Sequence, residues 1–535
     1  MGKPSESLRA DRPRVGICLR GVIALTAGAA FSCGFPPADM PLVGFAALLV
    51  LFAGVACATS ARGAFGFAFL FGLAWFVPGL AWTLESMVRH GHVPQVLAWM
   101  GLLGLGAVCA FFVAAAAAAA RRLVGWAASD SVSRAGVLYA FAGFFAAGEY
   151  LRGCGLADFA WLTPANLFVA LPWAGWAPIA GAYGLNAAVF FSAAAALAAF
   201  SALYARRMQS AAGHFLVFCA FLSVGAFGLG HDWSQPGERL KVGMIQADLP
   251  VVNAFVKADP AARVSAAAEL VERLQAGSDK ADLVLTAEGI LLTDLQRLGA
   301  STRNELGRLL TSAQAPVLFN GFRRLSRQDW RNTSFYFDPA GEPQLLFVDK
   351  RKLVPFGEYV PAGFKWFVDM LGIPLGELHP GEMQQEAPRI RSTTLGILIC
   401  YENLDGEVLR ALWGAGRNKE ATGPELLVVT SNLGWFGKAV RSQHLRMTQL
   451  RALEASRPAA SVSMNGLSAM VDEKGRITAV APEEGAALLS AEVTVRSGCP
   501  TPYVRFGDIP AIILSLLGAG AAVVLFRGRR NRVRL

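Results

Sequence analysis

The chain has 535 residues, 54% of them hydrophobic and only 16% charged, with a formal net charge of +10. Soluble domains carry about 25% charged residues, so the composition excludes an ordinary water-soluble protein and points to a membrane. The basic excess is no nucleic-acid footprint either: Arg121-Arg122, Arg206-Arg207 and the arginines from Arg527 to Arg534 flank apolar runs, where they act as topology signals.

Apolar runs approaching the ~20 residues of a helical span occupy 16–33, 41–58, 64–82, 95–120, 136–151, 176–204, 213–230 and 509–526. If the N-terminus is cytoplasmic, Arg62, Arg121-Arg122, Arg206-Arg207 and the C-terminal arginines all fall on the cytoplasmic side. The predicted organisation is therefore a seven-span domain over 1–230, an extracytoplasmic domain over 231–508, and a last span with a basic cytoplasmic tail over 509–535. The first run is not a cleaved leader, because a second span follows almost at once. Trp82, Trp161, Trp173 and Trp176 fall at span ends, as in an interfacial aromatic belt, or else pack in the loops there.

The central region alternates strands and helices. Strands are predicted at 241–246, 282–287, 315–321, 333–337 and 343–349, the last after the turn Asp338-Pro339-Ala340-Gly341. An amphipathic helix covers 259–276. Further on come the strand Leu395–Cys400, a helix near 405–414, the strand 426–431, a helix near 441–456, and strands beyond 459. This is the pattern of an α/β domain of about 270 residues.

Three reactive groups stand at strand ends here: Glu288 after Leu283–Ala287, Lys350 after Leu346–Asp349, and Cys400 after Leu395–Ile399. In α/β folds reactive groups collect outside strand ends. Such a set suits acyl transfer through a thioester. Glu288 would take the thiol proton, and Lys350 would hold the thiolate and the tetrahedral oxyanion. With Lys350 beside it, Cys400 is expected to titrate below ordinary thiols, and Glu402 would orient Lys350 or tune its charge. A lone cysteine ending a buried strand can also be plain packing, and strand-end charges can be solvated. No histidine lies near Cys400 in sequence, although His444 could approach in space. The six histidines form no HExxH or comparable cluster, so neither a metal nor a cofactor is expected.

The order Glu288, Lys350, Cys400 resembles the Glu-Lys-Cys triad of the nitrilase, or carbon–nitrogen hydrolase, superfamily. Lys350–Pro361 (KRKLVPFGEYVP), Cys400-Tyr401-Glu402, Ser431-Asn432, Trp435-Phe436-Gly437, Gln443–Leu445, Arg451–Glu454 and Arg457-Pro458 resemble segments of its membrane-bound branch, the bacterial apolipoprotein N-acyltransferases. That resemblance covers nearly the whole chain. It implies a helical membrane domain of about eight spans joined to an αββα nitrilase-like domain on the periplasmic face of the inner membrane. Glu288 would be the base, Lys350 the oxyanion stabiliser, Cys400 the acylated nucleophile and Glu358 a second glutamate supporting the lysine. Tyr401 and Glu402 would be further active-site residues, and Trp435 and Phe436 an aromatic loop at the mouth.

The implied reaction moves an acyl chain from a phospholipid, phosphatidylethanolamine by expectation, to the α-amino group of a diacylglyceryl apolipoprotein cysteine. A monomer and ping-pong kinetics are expected. Ala287, Leu433 and Phe255 depart from the family pattern, and Lys352 is the residue that could be mistaken for the active lysine. Two other readings stay open: a membrane-tethered amidase using the same triad, and a transporter or receptor whose outer domain only binds.

Overall fold

A computed structural model describes residues 7–124, 131–155, 157–251, 259–277, 280–340, 344–366, 377–414, 423–518 and 520. Phe255, Gly341 and the arginines beyond 526 lie outside these residues, as does most of the C-terminal half of the last predicted span.

Among the described residues, seven helices of more than ten residues build the N-terminal part: α1 (Ser7–Ser32), α2 (Pro41–Ala56), α3 (Ala61–Gly79), α4 (Gln95–Val124), α5 (Ser131–Tyr150), α6 (Ala177–Tyr204) and α7 (Met208–Gly230). Among the described residues, four helical stretches are long and apolar enough to cross a membrane: α3, α4, Pro172–Tyr204 and α7. The apolar part of α1 (Cys18–Ser32), α2 and Ile509–Gly518 are shorter. The helix α5 carries Arg134 and Glu149, which make it more polar than its neighbours. The helix α6 is apolar on every side and almost continuously buried from Ala177 to Ala195, becoming exposed at Phe200, Leu203 and Tyr204. It breaks at Gly181, whose φ of +70° suits glycine, and there a Cβ would strike the ring of Tyr503 at 2.2 Å.

Of the two readings open for the span-end tryptophans, packing holds for Trp161 and Trp173. Trp161 and Trp173 are buried, and their indole N–H groups donate to Gln443 Oε1 (2.7 Å) and Ser192 Oγ (2.9 Å). Both are interior residues with satisfied polar tips, not an interfacial belt.

A charged pair lies within this helical part. Arg152 and Glu149 are both fully buried and meet at 2.7 Å, while Arg152 Nη1 also donates to the carbonyls of Phe159 and Trp161. The pair thus ties the end of α5 to the loop entering Trp161. Removing one member of a buried pair leaves an uncompensated charge, at a cost of about 3–5 kcal/mol. Arg152→Ala should therefore lower the thermal midpoint in detergent sharply, whereas the double change with Glu149→Ala should restore part of it.

The C-terminal part contains two sheets. The first joins β1 (Gln235–Gln246), β2 (Leu283–Thr286), β3 (Leu291–Asp294), β4 (Val317–Arg324), β5 (Trp330–Asp338), β6 (Gln344–Asp349) and β13 (Ala487–Ser497) in the order β13-β1-β2-β4-β5-β6, with β3 beside β4. The second runs β12-β11-β10-β9-β8-β7, from β7 (Arg389–Ile390), β8 (Thr393–Ile399), β9 (Leu426–Ser431), β10 (Ala459–Ser463), β11 (Ala469–Val471) and β12 (Ile477–Val480). The central strands β8, β9 and β10 are parallel. Such strands are covered on both faces and read as unbroken apolar runs. Leu395, Ile397, Ile399, Leu426 and Val428 point into the core shared with the first sheet. The intervening Leu398, Leu427 and Val429 point the other way, against helix α10 (Ala439–Ala455). Helices α8 (Pro260–Ala276) and α9 (Ala300–Ala313) pack together beside the first sheet.

Most predicted strands and helices in this region fall within a few residues of those observed, but β1 begins six residues before the expected 241, and the short β3 and β7 were not expected. The helix expected near 405–414 is shorter, Gly406–Ala411, and α9 had no counterpart in the reading. Its apolar positions Leu306, Leu309, Leu310 and Ala313 do follow helical spacing.

Candidate active site

Strand β8 stops at Ile399. Cys400 opens a tight 3-10 turn over Cys400–Leu404 and itself adopts φ +51°, a left-handed conformation costly for a residue with a Cβ. The turn is held from two directions. His444, on α10, lies 3.1 Å through Nε2 from the Cys400 carbonyl oxygen, and Asn403 Nδ2 donates to the His444 carbonyl and to Thr448 Oγ1. His444 thus approaches Cys400 in space, but through the backbone and not the sulfur. Burial pushes the imidazole pKa below its ordinary value, keeping the ring neutral.

Glu288, Lys350, Cys400 and Glu358 come together. The Cys400 thiol lies within the electrostatic reach of Glu288, Lys350 and Glu358. Lys350 Nζ donates to Glu288 Oε1 at 3.2 Å and to Glu358 Oε1 at 2.9 Å, with the lysine only 1% exposed. Glu288 Oε2 accepts the backbone N–H of Asn432 at 2.9 Å, and Glu358 Oε2 accepts that of Val354 at 2.8 Å. Lys352 points elsewhere, to Asp158 at 2.7 Å and to Asp405, which removes it as the partner of the thiol.

The electrostatics overturn one expectation. Burial holds the Cys400 pKa well above that of an ordinary thiol; Glu288 and Glu358 reinforce this, and the opposing charge of Lys350 does not outweigh them. Burial alone would lower Lys350, but the two carboxylates raise it, so it is firmly cationic. The resting site accordingly sets a neutral thiol beside Glu288 and the Lys350 ammonium. Iodoacetamide should alkylate Cys400 more slowly than an ordinary thiol at pH 7.5, with a rate still climbing above pH 9. A plateau below pH 8 in the pH–rate curve would contradict this assignment.

Glu402 departs from its expected part as well. It is fully buried and touches neither the Lys350 ammonium nor the thiol. Its Oε1 accepts the backbone N–H of Arg351, its Oε2 accepts that of Ile399 at 2.7 Å, and the Arg351 guanidinium stands 3.7 Å away. Burial raises its pKa against these donors. Glu402 therefore ties the segment following Lys350 to the end of strand β8 and acts through backbone. Tyr401 is buried in the apolar cluster of the helical part, together with Leu404 and Leu433.

Trp435 and Phe436 stand against the segment Trp82–His90. The Phe436 ring meets that of Trp82 at 5.0 Å, Trp435 meets His90 at 5.1 Å, and Ser86 Oγ donates to the Trp435 carbonyl at 2.7 Å. Helix α10 makes further contacts with the helical part. Gln443 Nε2 donates to the Pro36 carbonyl at 3.2 Å, Arg446 pairs with Asp39, and Glu454 Oε1 accepts the Ala182 N–H at 2.7 Å. Sequence reasoning overlooked Asn320 and Asn332, which reach this site from β4 and β5; an asparagine inside a strand leaves no periodic signal.

Two sheets with a cysteine, a lysine and a glutamate beyond their strand ends, joined by a second glutamate from the loop after β6 and seated on a helical membrane part, define a membrane-bound carbon–nitrogen hydrolase. Residues 241–502 match the carbon–nitrogen hydrolase family model, and residues 27–195 match that of the apolipoprotein N-acyltransferase N-terminal domain. An apolipoprotein N-acyltransferase of Bordetella bronchiseptica is 34% identical over 95% of this chain and 97% of its own length. One of Ralstonia nicotianae is 31% identical over 87% and 84%. An amidase structure from Nesterenkonia sp. covers 51% of this chain and 95% of its own, at 17% identity and a TM-score of 0.37. The chain belongs to the apolipoprotein N-acyltransferase family.

Proposed function

We propose that this enzyme transfers an acyl chain from a membrane phospholipid, phosphatidylethanolamine, to the α-amino group of the diacylglyceryl cysteine of apolipoproteins. In the first half-reaction Cys400 Sγ attacks the ester carbonyl while Glu288 takes the thiol proton. The S–C bond forms, the ester C–O bond breaks, and Glu288 returns the proton to the lysophospholipid oxygen. In the second, the lipoprotein amine attacks the thioester. The N–C bond forms, the C–S bond breaks, and the amine proton passes through Glu288 back to sulfur. Lys350, steadied by Glu358, stabilises each oxyanion, a contribution of about 3–4 kcal/mol per donor. Trp435 and Phe436 line the mouth. The intermediate makes the kinetics ping-pong.

The observation that carries this reading is the seat of the nucleophile: the turn after Cys400 packs, through Tyr401 and Leu404, into the same apolar cluster as the membrane helices. Both substrates are anchored in a bilayer, and a site so placed can take their acyl chains without drawing them through water. The division proposed is 1–230 and 509–535 in and around the inner membrane, with cytoplasmic termini, and 231–508 in the periplasm, working as a monomer. Purified enzyme given acyl-labelled phosphatidylethanolamine and a diacylglyceryl-cysteine lipopeptide should yield N-acylated lipopeptide. Release of label only as free acid would mean a hydrolase, and the absence of any protein-bound label would mean a binding protein.

A further inference from the structure

Asn332 occupies an unusual position among the active-site groups. Its backbone carbonyl accepts the Lys350 N–H at 2.8 Å, and its Nδ2 donates both to Glu288 Oε1 (2.8 Å) and to Glu358 Oε1 (2.9 Å). Those two oxygens are also the ones that Lys350 Nζ contacts. Glu288, Asn332, Glu358 and Lys350 therefore close a four-membered ring of hydrogen bonds in which an amide and an ammonium alternate with two carboxylates.

The direction of the amide is set from outside the ring. The Gly289 backbone N–H, which can only donate, gives its proton to Asn320 Oδ1 at 2.7 Å. That leaves Asn320 Nδ2 to face Asn332 Oδ1, also at 2.7 Å, and the Thr333 carbonyl at 3.0 Å. With its oxygen so engaged, Asn332 can present only its two N–H groups to the glutamates. Both asparagines are nearly inaccessible, at 2% and 6% exposed.

Two carboxylates sharing one cation resist joint ionisation, and one of them normally takes up a proton. Donors to the charged form oppose that uptake. A second ammonium would do so more strongly and would weaken Glu288 further as a base; a neutral fork lowers its basicity less. The titratable and charged groups around Glu288 are Lys350, Glu358, Cys400 and His444, the last neutral through burial. We propose that Asn332, oriented by Asn320, is a positioning residue that keeps Glu288 and Glu358 ionised together, and so sets the lower pH limit of thioester formation. This rests on Glu288 acting as the base.

The test is the pH profile of acyl transfer from labelled phosphatidylethanolamine onto Cys400 in the full-length protein. Asn332→Ala should slow this step about tenfold or more at pH 7 and move the acid limb up by about one pH unit, with a smaller loss at pH 9. Asn332→Ser, which retains one donor, should recover part of the shift. Asn320→Ala, which leaves the Asn332 amide free to turn, should move the limb in the same direction by less. If Asn332→Ala fails to fold, the other two variants carry the same prediction. An unmoved limb, or a loss equal at every pH, would overturn the inference. Glu288→Gln, measured alongside, separates the two levels: an active Glu288→Gln enzyme refutes the base itself, whereas an inactive one with an unmoved limb in Asn332→Ala refutes only the positioning role.

Discussion

Cys400→Ala should abolish acyl label on the protein and lower N-acylation by about 10⁴-fold or more, as loss of a nucleophile does in other covalent enzymes. The fold should survive the change. The side chain is buried and small, so its removal costs on the order of 1 kcal/mol, and the left-handed backbone at this position strains alanine no more than cysteine. Label on wild-type protein, discharged by lipopeptide, together with an unlabelled variant of near-native thermal midpoint, would establish Cys400 as the acyl carrier. Label persisting on Cys400→Ala would place the covalent intermediate elsewhere. Cys400→Ser tests the chemistry more narrowly, because an alkoxide is far harder for Glu288 to generate than a thiolate; its activity should lie close to that of alanine.

Lys350→Met should have the second-largest effect. Methionine fills much of the same volume but leaves Glu288 and Glu358 sharing a buried space with no cation between them. Acylation should fall by about 10²–10³-fold from the lost oxyanion donor alone, and further because one carboxylate takes up a proton. In the wild type, the raised Lys350 pKa contributes stability that is fully present below about pH 10 and is lost only as pH rises past it. In the variant, the glutamate pair would titrate above the unfolded value of about 4.3. Its stability should then be retained near pH 4 and decline as pH rises through the raised folded value. Thermal unfolding at pH 5 and pH 8 should therefore separate variant from wild type most at pH 8. A uniform difference at both pH values would argue against the coupling of the two carboxylates.

The residues that carry chemistry were legible because each interrupts an apolar run. Leu283–Ala287 before Glu288 and Leu395–Ile399 before Cys400 are buried, Leu346–Val348 two residues before Lys350 is apolar though partly exposed at Phe347, and a charge or thiol beyond each run stands out. What escaped was of two kinds. Asn320 and Asn332 act by hydrogen bonds across adjacent strands, and their value depends on register that no single strand reveals. The state of Cys400 turned on a balance of magnitudes: proximity to Lys350 argued for a thiolate, and only the completeness of burial, with Glu288 alongside, reversed the sign. The tryptophans stayed open between belt and interior for a related reason. Trp161 at a span end looks interfacial until Gln443, nearly three hundred residues later, supplies its partner.

Helix α10 serves two masters. One stretch carries His444 against the turn at Cys400, and the same stretch, through Gln443, Arg446 and Met447, grips the membrane helices. Cutting out the globular half to obtain a convenient soluble enzyme would therefore strip the floor from beneath the cysteine and bare Tyr401, Leu404, Val440 and Leu450 to water. Such a fragment should clump, and detergent or a lipid nanodisc belongs in any preparation meant to report native catalysis.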